Sequence, residues 1–194
     1  MCSLLSVCSC NAVDKVKDKI TGGDDSASEG FANFEKAIAA ASSSAVVVTV
    51  KTVTTLGELN SQYEVYFAAD NSATIKYSFE RFYEIGEGPD GETVEKKTGT
   101  IYRDKDGKYS EDIGVDLSAV TAAAALNIAP LRSIANVNES GDILTASVPK
   151  VATADIFGAQ FGSDAELKIV LRNGCLSTMS IKAADREINY TYAV

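Results

Sequence analysis

Residues 45–55 read AVVVTVKTVTT. Apart from Ala45 and Lys51, every side chain here is β-branched. Such side chains are stiff at χ1 and pack well on a pleated surface, so the stretch is expected to be a strand. The residues before it have a different period. Phe31, Phe34, Ala37, Ile38 and Ala41 form one apolar stripe at helical spacing, Ser28 is placed as the N-cap, and Ser42–Ser44 ends the run. The chain therefore changes from helix to strand within a few residues of position 44.

Downstream the period of two persists. Leu56-Gly57-Glu58 is a turn, after which Tyr63, Val65 and Phe67 share one face of a segment from Gln62 to Ala68. Asp70-Asn71 turns the chain again. Ile75, Tyr77 and Phe79 then alternate with Lys76, Ser78 and Glu80, the pattern of a half-buried strand. Residues 87–97 form a polar loop or long hairpin tip. Thr100–Arg103 is a further strand, and Asp106-Gly107 is a hairpin signal before Lys108-Tyr109-Ser110. The expectation is a meander of about five antiparallel strands.

The middle of the chain is helical in character. Ser118 opens an alanine-rich helix over 119–126, and Pro130 starts a second helical stretch carrying Leu131, Ile134 and Val137, stopped by residues 138–141. Ile143–Val148 is expected as a strand and Val151–Phe161 as a short helix with Ile156 and Phe157 buried. Alternation returns with Leu167, Ile169 and Leu171; Asn173-Gly174 fits a type I′ turn, its partner strand runs from Cys175 to Ala183, and Ile188, Tyr190 and Tyr192 lie on a closing strand.

Strand runs separated by helices give an α+β fold. We expect a strongly curved antiparallel sheet of about eight strands, an unclosed half-barrel, with the N-terminal helix and short central helices on its concave face. That order resembles, in layout over roughly residues 28–194, the LolA and LppX/LprG group of envelope lipoprotein carriers. Those folds are unclosed barrels with a helical plug or lid, and this chain shows no motif specific to the group. The resemblance implies a protein that carries or senses an apolar ligand near a membrane.

The N-terminus reads MCSLLSVCSCNA, so Cys2, Cys8 and Cys10 fall within ten residues and only Cys175 lies beyond them. A metal site lacks the paired C-x2-4-C spacing, and the chain contains no histidine to complete a ligand set. A disulfide across so short and loose a terminus gains little. Val7-Cys8-Ser9-Cys10 resembles a bacterial lipobox, with an apolar residue at −3 and a small one at −1 before the cysteine that takes the lipid. Cys10 is then the attachment site, and Cys8 fits less well because Val7 would stand at the small position. The basic n-region of a signal peptide is missing and its apolar run is short, so Met1 is expected to be an internal methionine of a longer leader. Residues 1–10 are accordingly a truncated signal and lipobox, 11–27 a polar tether with Gly22-Gly23, and 28–194 a single domain.

Charge and composition narrow the partners. The net charge of −9 disfavours nucleic acid, which needs a concentrated basic patch. No stretch reaches the roughly 18 apolar residues of a membrane helix, so the expected membrane link is the lipid on Cys10. An envelope protein is a further possible partner, and no cofactor is implied.

Nothing in the sequence specifies catalysis. The absence of histidine removes the commonest general base and the Ser-His-Asp arrangement. Cys175 follows a tight turn and reads as a small buried hydrophobe. The carboxylate pairs Asp112/Asp116 and Glu80/Glu84 read as solvated charge, and the run from Asp104 to Asp112 has only part of a calcium-loop pattern, with Lys108 at the fifth position. The chain is therefore expected not to be an enzyme. The aromatic residues have two explanations, cross-strand packing or the wall of a cavity. For the cavity, the expected lining is Tyr66, Tyr77, Phe79, Phe82, Leu126 and Phe157, with the alanine-rich helix leaving room against the sheet. The function that follows is a membrane-anchored extracytoplasmic lipoprotein holding an apolar or amphipathic ligand. The alternative is a non-catalytic interaction module of the envelope with a dry core.

Overall fold

Residues 26–41 form one four-turn helix, α1 (Ser26–Ala41), which begins two residues ahead of the expected cap at Ser28. In the computed structural model the described residues are 26–41, 45–54, 57–70, 72–83, 93–115, 117, 120, 123, 126–134 and 136–193. Cys2, Cys8, Cys10 and most of the tether lie outside them. Phe31, Phe34 and Ala37 are buried along one stripe of α1, as their spacing requires.

Four strands follow: β1 (Ala45–Thr54), β2 (Gly57–Phe67), β3 (Ala73–Tyr83) and β4 (Val94–Arg103). The fifth strand of the expected meander does not form; Tyr109 makes a single bridge to Arg103. The Asp104 carboxylate accepts from the N–H groups of Asp106 and Lys108 and closes the turn at Gly107, and the pairing beyond it is short: the Ser110 N–H donates to the Tyr102 carbonyl at 2.8 Å. Gly57 holds the β1–β2 corner at φ +136°, and a Cβ there would stand 1.8 Å from the carbonyl oxygen of Phe82, so only glycine fits.

After a short helix, α2 (Leu131–Ile134), come β5 (Asn136–Ser140) and β6 (Ile143–Val148). Val137 was expected on the helix and lies in β5 instead. The left-handed Gly141 (φ +58°) makes a hairpin possible here, and strand pairing with β6 outweighs the local helical spacing. A 3-10 turn (Lys150–Ala152) leads into α3 (Thr153–Phe157), which stops at the left-handed Gly158, shorter than the expected 151–161 helix. Then come β7 (Ala165–Arg172), β8 (Cys175–Lys182) and β9 (Arg186–Tyr192). Asn173 and Gly174 both have positive φ, 54° and 76°, as a type I′ turn demands.

All nine strands join one antiparallel sheet in the order β4-β3-β2-β1-β9-β8-β7-β6-β5. Two meanders meet where the first strand pairs with the last. The sheet is curved and unclosed, an α+β half-barrel with helices on its concave face. β4 and β5 are its opposite edges, eight strand spacings apart, or roughly 38 Å if the sheet were flat. The chain from β4 to β5 must therefore cross the sheet. Ile113, Leu117, Val120, Ala123, Leu126, Ile128 and Leu131 of this crossing segment are buried in the same core as the inward strand residues, which places it over the concave face. Val120 and Ala123 are helical, and the rest of the expected 119–126 helix lies largely outside the described residues. α1 covers another part of that face, packing chiefly on β8 with contact to β7 and β5. Arg132 links the two covers: its guanidinium sits 4.5 Å from the Phe31 ring centroid and 3.0 Å from the Glu35 carboxylate.

Candidate functional site

The concave face is lined by alternate residues of each strand. Tyr77, Tyr63, Val48, Tyr190 and Met179 form one continuous inward row across β3, β2, β1, β9 and β8. Tyr192 lies in the next row, opposite Val46. The interior thus carries four buried phenols, Tyr63, Tyr77, Tyr190 and Tyr192. Burial pushes the Tyr190 and Tyr192 hydroxyls well above the usual phenol range, and for Tyr190 the neighbouring Tyr192 adds to the effect. The Tyr192 hydroxyl is buried and has no hydrogen-bond partner among the described residues. Tyr77 lies over Gly99, where a Cβ would meet the phenol oxygen at 2.6 Å, so the bare glycine backbone is what lets the ring lie flat.

The second layer is held by Thr153, a fully buried polar residue. Its hydroxyl donates to the Lys150 carbonyl at 2.8 Å and accepts from the Phe161 N–H at 3.0 Å. This fixes α3 so that Phe157 and Phe161 stack at 5.3 Å between ring centroids. The Asn127 N–H donates to the Ile156 carbonyl at 3.0 Å, joining the crossing segment to α3. Near the β4 edge, Arg81 donates to the Gly114 carbonyl at 2.8 Å. A depression of about 340 Å³ opens beside it, walled by Tyr109, Val115 and Leu117 with Glu111 and Asp112 on its rim. Two larger depressions lie on the outer face of the sheet.

Of the expected lining, Tyr77, Phe79, Leu126 and Phe157 belong to the one buried core. Tyr66 and Phe82 do not. They are 45% and 37% exposed, on the outer face. The physical reason is the strand period of two: what points Tyr63, Val65 and Phe79 inward points Tyr66 and Phe82 outward. The Tyr66 hydroxyl donates to Glu64, and Lys76 lies 5.5 Å from its ring centroid. Cys10 lies outside the described residues. Cys175, expected to be buried, is half-buried at the start of β8. Tyr63, Tyr190 and Tyr192, which are not in the expected lining, are also buried, and their alternation with polar neighbours is the signal in the sequence that points them inward.

The candidate carboxylates are engaged in local structure. Asp112 accepts from the Gly114 N–H, and Glu80 is paired with Lys96. Asp116 and Glu84 fall outside the described residues. No group of three or more potential metal-ligating side chains is assembled among the described residues. No described helix is long and apolar enough to cross a membrane.

Fold and lining together define a half-barrel α+β domain with a covered, phenol-bearing concave face. No family model matches the chain, and no curated protein matches it. Among solved structures it is similar to LprF from Mycobacterium bovis, at 11% identity and a TM-score of 0.45, over 86% of this chain and 92% of that one. At that level of likeness nothing about LprF transfers to this chain.

Proposed function

We propose that this chain is a non-enzymatic, membrane-anchored protein that acts outside the cytoplasm, tethered by a lipid on Cys10. Its domain holds an apolar or amphipathic ligand between the concave sheet and the segment crossing from β4 to β5. The observation that carries the ligand is the Tyr192 hydroxyl, buried in an apolar interior without a partner among the described residues. A buried hydroxyl left unpaired costs about 1–3 kcal/mol, so such a group calls for water or a ligand atom. An apolar molecule with one polar head supplies both the acceptor and the surface to bury. The depression at Tyr109, Val115 and Leu117, at about 340 Å³, falls in the size range of small-molecule sites.

The test is native mass spectrometry of the full chain extracted from membranes in a neutral detergent. Reproducible adducts that organic solvent removes, and that are lost or depleted in Tyr192→Phe, are expected. An adduct-free protein would overturn the ligand and favour the dry-core envelope module. Adducts retained equally by Tyr192→Phe would remove the observation on which the proposal stands.

A further inference from the structure

The outer face of the sheet carries a second ordered arrangement, independent of the interior. Strand register aligns Ser78, Gln62, Thr49, Asn189, Ser180 and Lys168 in one row across β3, β2, β1, β9, β8 and β7. Two residues along the strands, a parallel row holds Glu80, Asn60, Lys51, Glu187, Lys182 and Glu166. The space between the rows is concave. One depression of about 440 Å³ spans the β3–β9 part and another of about 400 Å³ the β9–β5 part. They share Glu187 and Asn189, so they form one groove perpendicular to the strands. It crosses eight strands, seven spacings or about 34 Å measured along the sheet.

The chemistry of this groove is uniform along its length. Its walls hold three lysines and three glutamates, so it is locally neutral on a chain whose net charge is −9. A polyanion or polycation therefore finds no matching field in it. What the groove offers is amides and hydroxyls. Among the described residues no hydrogen bond engages the side chains of Thr49, Gln62, Ser78 and Ser180, whereas Asn189 donates to Glu187 at 3.3 Å. The large apolar residues beneath it, Phe79 and Leu167, are buried at 2% and 1% exposure, so among the described residues the groove presents no exposed aromatic or leucine anchor of the kind that dominates protein interfaces. The occupant that matches length, neutrality and hydrogen-bonding surface is an extended, uncharged polymer with hydroxyl or amide groups along its length.

We propose that this outer groove binds a neutral linear polysaccharide, with Gln62 and Asn189 as its central hydrogen-bonding side chains. Both project to solvent from mid-strand positions, so their truncation leaves the core intact. The test titrates the isotopically labelled full chain with chitohexaose and with cellohexaose, following amide shifts by NMR. Saturable shifts confined to the two rows are expected for at least one hexasaccharide. A Gln62→Ala/Asn189→Ala variant weakens binding by at least about tenfold, the equivalent of one to two hydrogen bonds. Tyr102→Ala, on the same face but outside the groove, leaves it unchanged. The proposal is overturned if neither sugar shifts the rows, if the double variant binds as tightly as the parent, or if heparin or polylysine occupies the groove in preference.

Discussion

Replacing Thr153 by valine keeps its shape and removes only its hydroxyl. Thr153 is fully buried, and its Oγ1 is the acceptor for the buried Phe161 N–H at 3.0 Å. It also donates to the Lys150 carbonyl at 2.8 Å, but that oxygen keeps a second donor, the Gln160 amide at 2.8 Å. The substitution therefore orphans one buried N–H and leaves the carbonyl satisfied. An orphaned buried donor costs about 1–3 kcal/mol, and we expect about 2 kcal/mol of destabilisation. In a domain of this size that lowers Tm by about 4–8 °C. Thr153→Ser retains the hydroxyl and loses one methyl group, about 1 kcal/mol. The isosteric variant is thus expected to be less stable than the smaller one. Because the chain has no tryptophan, urea unfolding is best followed by far-UV circular dichroism. A Thr153→Val protein as stable as the parent, or more stable than Thr153→Ser, would refute this account of how α3 is held.

Two further outcomes are expected. Tyr190 and Tyr192 have phenols raised by burial above the ordinary value of 10.0, so below pH 10 their contribution to stability is fully present. Above it the unfolded chain ionises first and stability is lost as pH rises, by up to about 1.4 kcal/mol per pH unit for each phenol. Urea midpoints from pH 9 to 11 measure the slope, and Tyr192→Phe should make it shallower; an unchanged slope would show that Tyr192 contributes nothing to it. Expressed behind a complete leader, Cys10→Ala should move the protein from the membrane to the soluble fraction while Cys8→Ala should not, since one acylated cysteine provides the anchor. A Cys10→Ala protein that stays with membranes would remove the lipobox from consideration.

The interior and the outer face differ in how much of each could be read from the residues. Inward alternation in β2, β3, β7 and β9 was visible because side-chain direction in a strand depends on position alone. The same rule places Tyr66 and Phe82 outside, although their aromatic type matches that of the inward Tyr77 and Phe79. Val137 went astray for a different reason. Its spacing from Leu131 and Ile134 suits a helix, and only pairing with Ala146 of β6 decides for a strand.

Local physics therefore determined a good deal by itself: the helix stripe of Phe31, Phe34 and Ala37, the turn at Asn173-Gly174, the face each strand residue takes, and the α+β order of the elements. Tertiary structure alone decided that β1 pairs with β9, that β4 and β5 become opposite edges, and that the segment between them must cross the concave face. It also decided that Gln62, Thr49 and Asn189 stand side by side. The reason is that a strand's period is written in neighbouring residues, whereas its partner and register are set by contacts between residues far apart in the chain. In β1 and β9 those residues are more than a hundred positions apart.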